Sequence, residues 1–419
     1  MKRQESSSIP IVFVPSLMGT NLRKRDPSTG STHETEQVYV TAAIGLCLDT
    51  PNLALPIVWD HDDEKLPTQA HDDICPGEVL KSIKINICCC ASVTVIDQYS
   101  TFCNHFEQYE HFYTFCYDWR RDLNETTDCL REFLAEIKSK HGIAAQVVSH
   151  SMGCLIALAA YHTNPSLFHS TLFCGGNFAG GAGFYPTNTD GMIVGCNKAY
   201  LGPNVVHTFP SMFAAASPMG VGIDPILKDA DGRQLWQFVD SNDTSRVIDI
   251  NMWDIEDWKK YKIGPWVLQK KGKPVAVSDE MEEHIKICLR LGHAFQMKMR
   301  NLSMELDAYV PIQQTENEHY PPVAVLVGDK YLNPVNFLWD TDHNRIVKWT
   351  PKLIKKHQPM QFGRTDGTVS FISASQPPGC PEVLEYIARN NGHGIGAHRD
   401  LMNDVGMIDD ILEDLRSVE

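Results

Sequence analysis

The sequence predicts an α/β chain: a mostly parallel sheet covered by helices on both faces and interrupted by an inserted cap or lid. Three observations predict it. Continuous apolar runs at Ile9–Val14, Ala144–Val148 and Pro322–Val327 have the character of strands buried on both faces. Segments such as Thr127–Lys140 carry Leu130, Phe133, Leu134 and Ile137 at amphipathic-helix spacing. The alternation of strand and helix breaks between residues 178 and 320, then resumes. The expected division is a first part of the core at 9–177, a cap or lid at 178–320, and a second part of the core at 321–419.

In chain order, residues 1–8 read as a polar tail and Ile9–Val14 as the first strand, closed by the turn Pro15-Ser16-Leu17-Met18-Gly19-Thr20. Residues 21–80 read as irregular and polar. Within them His61-Asp62-Asp63-Glu64 and His71-Asp72-Asp73 hold metal-ligand residue types without a third cluster at ligand spacing, so they are expected to be a solvated loop. A helix is expected around Val95–Phe106 and a strand over His111–Tyr117. The Thr127–Lys140 helix and the Ala144–Val148 strand follow, with another strand at Leu167–Cys174. Gly, Pro and the tryptophans Trp236, Trp253, Trp258 and Trp266 punctuate the cap. One cap helix is clear: Ser278 is a candidate N-cap, Asp279 and Glu280 occupy the first turn, and Met281, Ile285, Cys288, Leu289 and Phe295 form one face. Glu382–Ala388 is a further short element and Asp404–Leu415 a closing helix.

Composition narrows the function classes. The 419 residues carry a formal net charge of −15, which argues against a nucleic-acid partner but not against a lipid surface. No apolar run approaches the ~20 residues of a membrane span. No cofactor-binding or metal-ligand pattern is present. Thirteen cysteines, three of them consecutive at Cys88-Cys89-Cys90, show no framework spacing and read mostly as buried thiols. Lys2-Arg3 before an apolar run imitates a short signal peptide, but removing that run would remove the first strand. Missing leader and free-looking cysteines together point weakly to the inside of the cell. The sequons at Asn124, Asn242 and Asn301 matter only in a secreted chain.

The stretch carrying chemistry is Ser149-His150-Ser151-Met152-Gly153. An apolar run precedes it and helix formers follow it (Cys154 to Tyr161). Strand, sharp turn and helix are the setting of a nucleophile elbow in an α/β-hydrolase fold. A serine hydroxyl needs an imidazole to take its proton and a carboxylate to fix the imidazole's tautomer. In this fold they follow the serine in the order acid, then base. The acid candidates are Asp366, in the glycine-flanked loop Gly363-Arg364-Thr365-Asp366-Gly367, and Asp329, directly after the Val323–Val327 strand. The base candidates are His398 and His393. An oxyanion hole requires two N–H donors, expected from Met152, after the nucleophile, and from Leu17, in the first turn.

These segments together resemble the lecithin:cholesterol acyltransferase family, which includes lysosomal phospholipases and phospholipid:diacylglycerol acyltransferases. Val12 to Leu22 looks like the family's opening strand and oxyanion turn, and Tyr117-Asp118-Trp119-Arg120 like its Y-D-W-R segment. Ser149–Gly153 matches its elbow, Phe209-Pro210-Ser211-Met212-Phe213 before Pro218 its cap segment, and Asp366-Gly367-Thr368-Val369 its acid loop. The resemblance favours Asp366 over Asp329, and His398 as base. It runs from residue 9 to about 404 and is poor over 21–110. Ser16 and Ser149 stand where the family has glycine.

What the resemblance implies is a serine-dependent lipid acyl hydrolase or O-acyltransferase, working through an acyl-enzyme on Ser151. The catalytic residues would be Ser151, Asp366 and His398, with Leu17 and Met152 as oxyanion donors. The partner would be a lipid ester substrate, met at a membrane or lipid surface. The alternative is a non-catalytic scaffold of the same fold that binds a lipid or a protein.

Overall fold

The computed structural model describes residues 9–25, 36–62, 64–88, 91–180, 187, 190–216, 238–267, 276–305, 308–312, 320–334, 336–342, 345–347, 352, 355, 362–380, 382–388 and 397–418. Six strands form the main sheet: β1 (Ile11–Val14), β2 (Phe112–Thr114), β3 (Ala145–His150), β4 (Phe168–Cys174), β5 (Val323–Val327) and β6 (Leu384–Ile387). Their order across the sheet is β6-β5-β4-β3-β1-β2, and every neighbouring pair is parallel. Parallel neighbours need crossover connections, and helices supply them on both faces. This is an α/β-hydrolase fold.

Strand periodicity decides what each face buries. On β1, Val12 and Val14 face one core with Val147, Phe173, Val325 and Val327. Ile11 and Phe13 face the other, with Val148, Leu172, Ala324 and Leu326. Helix α1 (Ser100–Phe106) covers the second face through Phe102 and Phe106. Helix α2 (Leu123–His141) covers the first through Leu130 and Leu134, capped by Asp122 and ended by Gly142 at φ 71°. Helix α3 (Met152–Thr163), buried almost all round, fills the same core. Helix α4 (Asp279–Met299) begins where Ser278 accepts the Met281 N–H, as its sequence signals require. Helix α5 (Val405–Ser417) closes the second face with Ile408, Ile411 and Leu415.

Several expectations are corrected. The helix expected around Val95–Phe106 starts only at Ser100; Ala91–Asp97 is a strand paired antiparallel with Ser82–Cys88. Residues 21–80 are not simply irregular: Thr20–Lys24, Gln37–Tyr39 and Ile74–Val79 build a three-stranded sheet, with Thr20–Lys24 in the middle. The strand expected over His111–Tyr117 is shorter, at Phe112–Thr114. Trp258 and Trp339 are buried in a third core with Phe213, Ile285 and Leu289. That core joins the stretch before β5 to the stretch after it, because Phe238–Asp240 pairs with Phe337–Asp340. The tail 1–8, Trp236, Pro218, Cys89 and Cys90 lie outside the described residues.

Candidate active site

Ser151 stands between β3 and α3 with φ 54° and ψ −119°, a backbone conformation that costs a non-glycine residue of order 1–3 kcal/mol. Its N–H donates to the Cys174 carbonyl at the end of β4 (3.0 Å), which ties the turn to the sheet edge. Gly153 cannot be anything larger: a Cβ there would meet the Pro15 and Val14 carbonyl oxygens at 2.5 Å. The first turn therefore lies directly against the start of α3. Ser149 is fully buried, with Val14 of β1 and Phe173 of β4 as its partners across the sheet.

The Pro15–Thr20 turn is clamped from several sides. Tyr117 Oη donates to the Pro15 carbonyl (2.8 Å) and Trp119 Nε1 to the Thr20 carbonyl (3.1 Å). The Ser16 N–H donates to Tyr99 Oη (3.0 Å), and the Gly19 N–H closes the turn onto the Ser16 carbonyl (2.9 Å). Two of the four residues of Tyr117-Asp118-Trp119-Arg120 thus brace the two ends of this turn. Arg120, wholly buried, is neutralised by Asp118 (2.7 Å) and Asp72 (2.8 Å), whose charges hold its guanidinium protonated despite burial. Among the described residues, the N–H groups of Leu17 and Met152 donate to no protein acceptor; Met152 opens a helix, where first-turn donors lack intrahelical partners.

Asp366 follows the strand Phe362–Thr365. Its Oδ1 accepts the N–H groups of Thr368 (2.9 Å) and Val369 (2.8 Å), which aims Oδ2 at His398 Nδ1, 2.5 Å away. Both side chains are buried. A carboxylate accepting from Nδ1–H assigns the proton of a neutral imidazole to Nδ1 and leaves Nε2 with its lone pair. His398 Nε2 is buried and has no hydrogen-bond partner, the Ser151 hydroxyl included. Such contacts are commonly long until substrate binds. The ring packs against Gly175, the residue after Cys174: a Cβ there would approach His398 Cε1 to 2.9 Å.

Asp366 and His398 therefore meet beside Gly175, the residue after Cys174, whose carbonyl accepts the Ser151 N–H. Asp329 instead pairs with Arg364 at the surface (3.2 Å). The reason is a return hairpin. Tyr331–Pro334 pairs antiparallel with Phe362–Thr365, bringing Thr365 opposite Tyr331 and delivering Asp366 beside the exit of β5. His393 lies outside the described residues. Sequence reasoning missed Tyr99 and the bracing role of Tyr117 and Trp119; their aromatic character signals only burial. A cavity of about 640 Å³, lined by His61, Trp253, Lys286, Arg290 and His293 among others, is not lined by Ser151, Asp366 or His398.

No protein-family model and no curated protein matches the chain. Among solved structures it is similar to a chain of the Tle4–Tli4 complex, at 13% identity over 98% of this chain and 99% of that one, with a TM-score of 0.46. It is also similar to a carboxylesterase of the ammonia-oxidizing Thaumarchaeon Nitrososphaera gargenis, at 11% identity over 76% and 85%, with a TM-score of 0.25. Scores this low carry no functional argument. The class rests on the chain's own strand order and on the strand–turn–helix at Ser151.

Proposed function

We propose that the protein is a serine-dependent acyl-ester enzyme of the lecithin:cholesterol acyltransferase type. Ser151 Oγ attacks the ester carbonyl carbon while His398 Nε2 takes the hydroxyl proton. Asp366 keeps the other imidazole nitrogen protonated and stabilises the imidazolium. The N–H groups of Leu17 and Met152 receive the oxyanion of the tetrahedral intermediate. Collapse expels the alcohol, which takes the proton from His398, and leaves the acyl group on Ser151. Water or a second alcohol then repeats the sequence in reverse, making the enzyme a hydrolase or an O-acyltransferase.

The observation that carries this reading is the buried Asp366–His398 contact beside the strained Ser151 turn. For a lipid substrate the support is twofold: the family resemblance, and a surface carrying Leu46 (50% exposed), Leu48 (77%) and Ile193 (61%). The two segments adjoin, because the Cys196 N–H donates to the Gly45 carbonyl (2.9 Å). Exposed aliphatic side chains of this kind suit a lipid surface that binds without charge attraction. Incubating the protein with phospholipid vesicles, with and without an added sterol or diacylglycerol, tests the reading by mass spectrometry of the products. Free fatty acid or a transferred acyl ester, lost in Ser151→Ala, is expected. An unchanged lipid profile with the wild-type protein overturns it.

A further inference from the structure

Behind the imidazole runs a buried chain of hydrogen bonds that the reaction scheme does not use. Ser16 N–H donates to Tyr99 Oη (3.0 Å), Tyr99 Oη lies 2.8 Å from His150 Nδ1, and His150 Nε2 lies 3.2 Å from the His398 carbonyl. Tyr99, His150 and Ser16 are all buried. The donors can be assigned from the ends inward. A carbonyl only accepts, so His150 Nε2 carries a proton. Burial holds the His150 ring neutral, so Nδ1 carries none and accepts from Tyr99. The Tyr99 proton is then spent, and its oxygen accepts from Ser16. Ser16 Oγ also lies 2.7 Å from Tyr99 Oη and donates its own proton to the Leu17 carbonyl (3.0 Å). One continuous polarity thus runs from the oxyanion turn to the backbone of His398.

We infer that Tyr99 and His150 are positioning residues, which lock the Ser16–Leu17 turn and the His398 backbone into one fixed relation and so hold the oxyanion donor and the base in register. The inference rests on the acyl-enzyme reading of Ser151. It follows from where the chain ends. One terminus is the residue before the Leu17 N–H; the other is the backbone of the imidazole. His150 also packs at a tilt of 33° against the His398 ring, with centroids 4.8 Å apart, and Tyr99 meets His150 edge-on at 5.7 Å, so both rings are held by packing as well. Ser16, standing where the family has glycine, adds a hydroxyl within reach of this chain.

Tyr99→Phe deletes one hydroxyl and keeps the ring. His150→Gln keeps a donor toward the His398 carbonyl, whereas His150→Leu removes both bonds. Tyr161→Phe is the control: it deletes an equally buried hydroxyl, bonded to the Pro321 carbonyl at 2.7 Å, away from this chain. The measurements are kcat and KM on a p-nitrophenyl ester, and the rate of labelling by a fluorophosphonate probe. In Tyr99→Phe, kcat and labelling rate are expected to fall together by about tenfold or more with KM within about twofold, since small misplacements of catalytic groups cost this much. His150→Gln is expected to exceed His150→Leu in kcat, and Tyr161→Phe to match the wild type. If Tyr99→Phe and His150→Gln both keep kcat within about twofold while the wild type is labelled, the chain is merely structural and the positioning role is refuted. A wild type that takes no label refutes the acyl-enzyme reading, and the positioning role with it. Should His150→Leu not fold, Tyr99→Phe against Tyr161→Phe decides alone.

Discussion

Replacing Gly175 by alanine adds one methyl group where β4 ends against the His398 imidazole. Two costs follow, and they can be separated. Gly175 has φ +59°, a conformation that costs an L-residue about 1–2 kcal/mol. The new Cβ would also lie 2.9 Å from His398 Cε1 and 3.0 Å from Nδ1. Ordinary contact begins near 3.4 Å, so the ring must retreat by about half an ångström. Its Nδ1, one of the two crowded atoms, is held by Asp366 Oδ2 at 2.5 Å, so the retreat stretches that bond or swings Nε2 about it. A displacement of this size is expected to lower kcat by roughly 10- to 100-fold with little change in KM. Gly142→Ala supplies the control, because Gly142 has φ +71° and open space around its would-be Cβ. Both variants should melt a few degrees below the wild type. Only Gly175→Ala should lose kcat on a p-nitrophenyl ester. Equal melting losses with wild-type kcat in both would refute the placement of the imidazole.

Other predictions follow from the same structure. Arg120→Leu leaves the carboxylates of Asp118 and Asp72 without their counter-charge and should destabilise the fold by roughly 3–5 kcal/mol, read by urea unfolding. Burial depresses the pKa of His162 from 6.5 to about 4, so its contribution is complete above pH 6.5 and is lost as pH falls from 6.5 toward 4, roughly 3 kcal/mol in all. His162→Gln should therefore flatten the stability profile between those values; an unaltered slope contradicts the burial argument. Asp122 runs the other way. Burial raises its pKa from 3.8 to about 6, so its charge penalty is complete above pH 6 and fades toward 3.8. Asp122→Asn keeps an oxygen to cap α2 and should be the more stable protein at pH 8. Leu48→Asp with Ile193→Asp should weaken sedimentation with neutral phosphatidylcholine vesicles while leaving hydrolysis of a short soluble ester within about twofold. Equal vesicle binding by the double variant would remove that surface from the account.

Much of the core was legible because its signals are local. The runs Ile11–Val14, Ala145–His150 and Val323–Val327 are apolar at consecutive positions, and only a strand covered on both faces asks for that. The elbow was legible from Ser151 and Gly153, because a tight turn restricts residue size whatever the rest of the chain does. Asp366 was harder. Judged by strand order alone, Asp329 has the better position, and only the hairpin between Tyr331–Pro334 and Phe362–Thr365 returns Asp366 to the same sheet end. Ser82–Ile87 and Ser92–Val95 alternate polar and apolar side chains at period two, the signal of the hairpin formed there, whereas the helix expected from Val95 begins only at Ser100. The bonds from Tyr99, Tyr117 and Trp119 to the first turn join partners 83 to 102 residues apart. Nothing local specifies such a partner, so these roles come only from the assembled sheet.

The central claim is that Ser151 becomes acylated through His398. Its most direct measurement is tandem mass spectrometry of the protein after reaction with a fluorophosphonate. The account predicts one adduct, on Ser151, absent in Ser151→Ala and formed far more slowly in His398→Gln. An adduct on another residue, or labelling of Ser151 at the wild-type rate in His398→Gln, would contradict it.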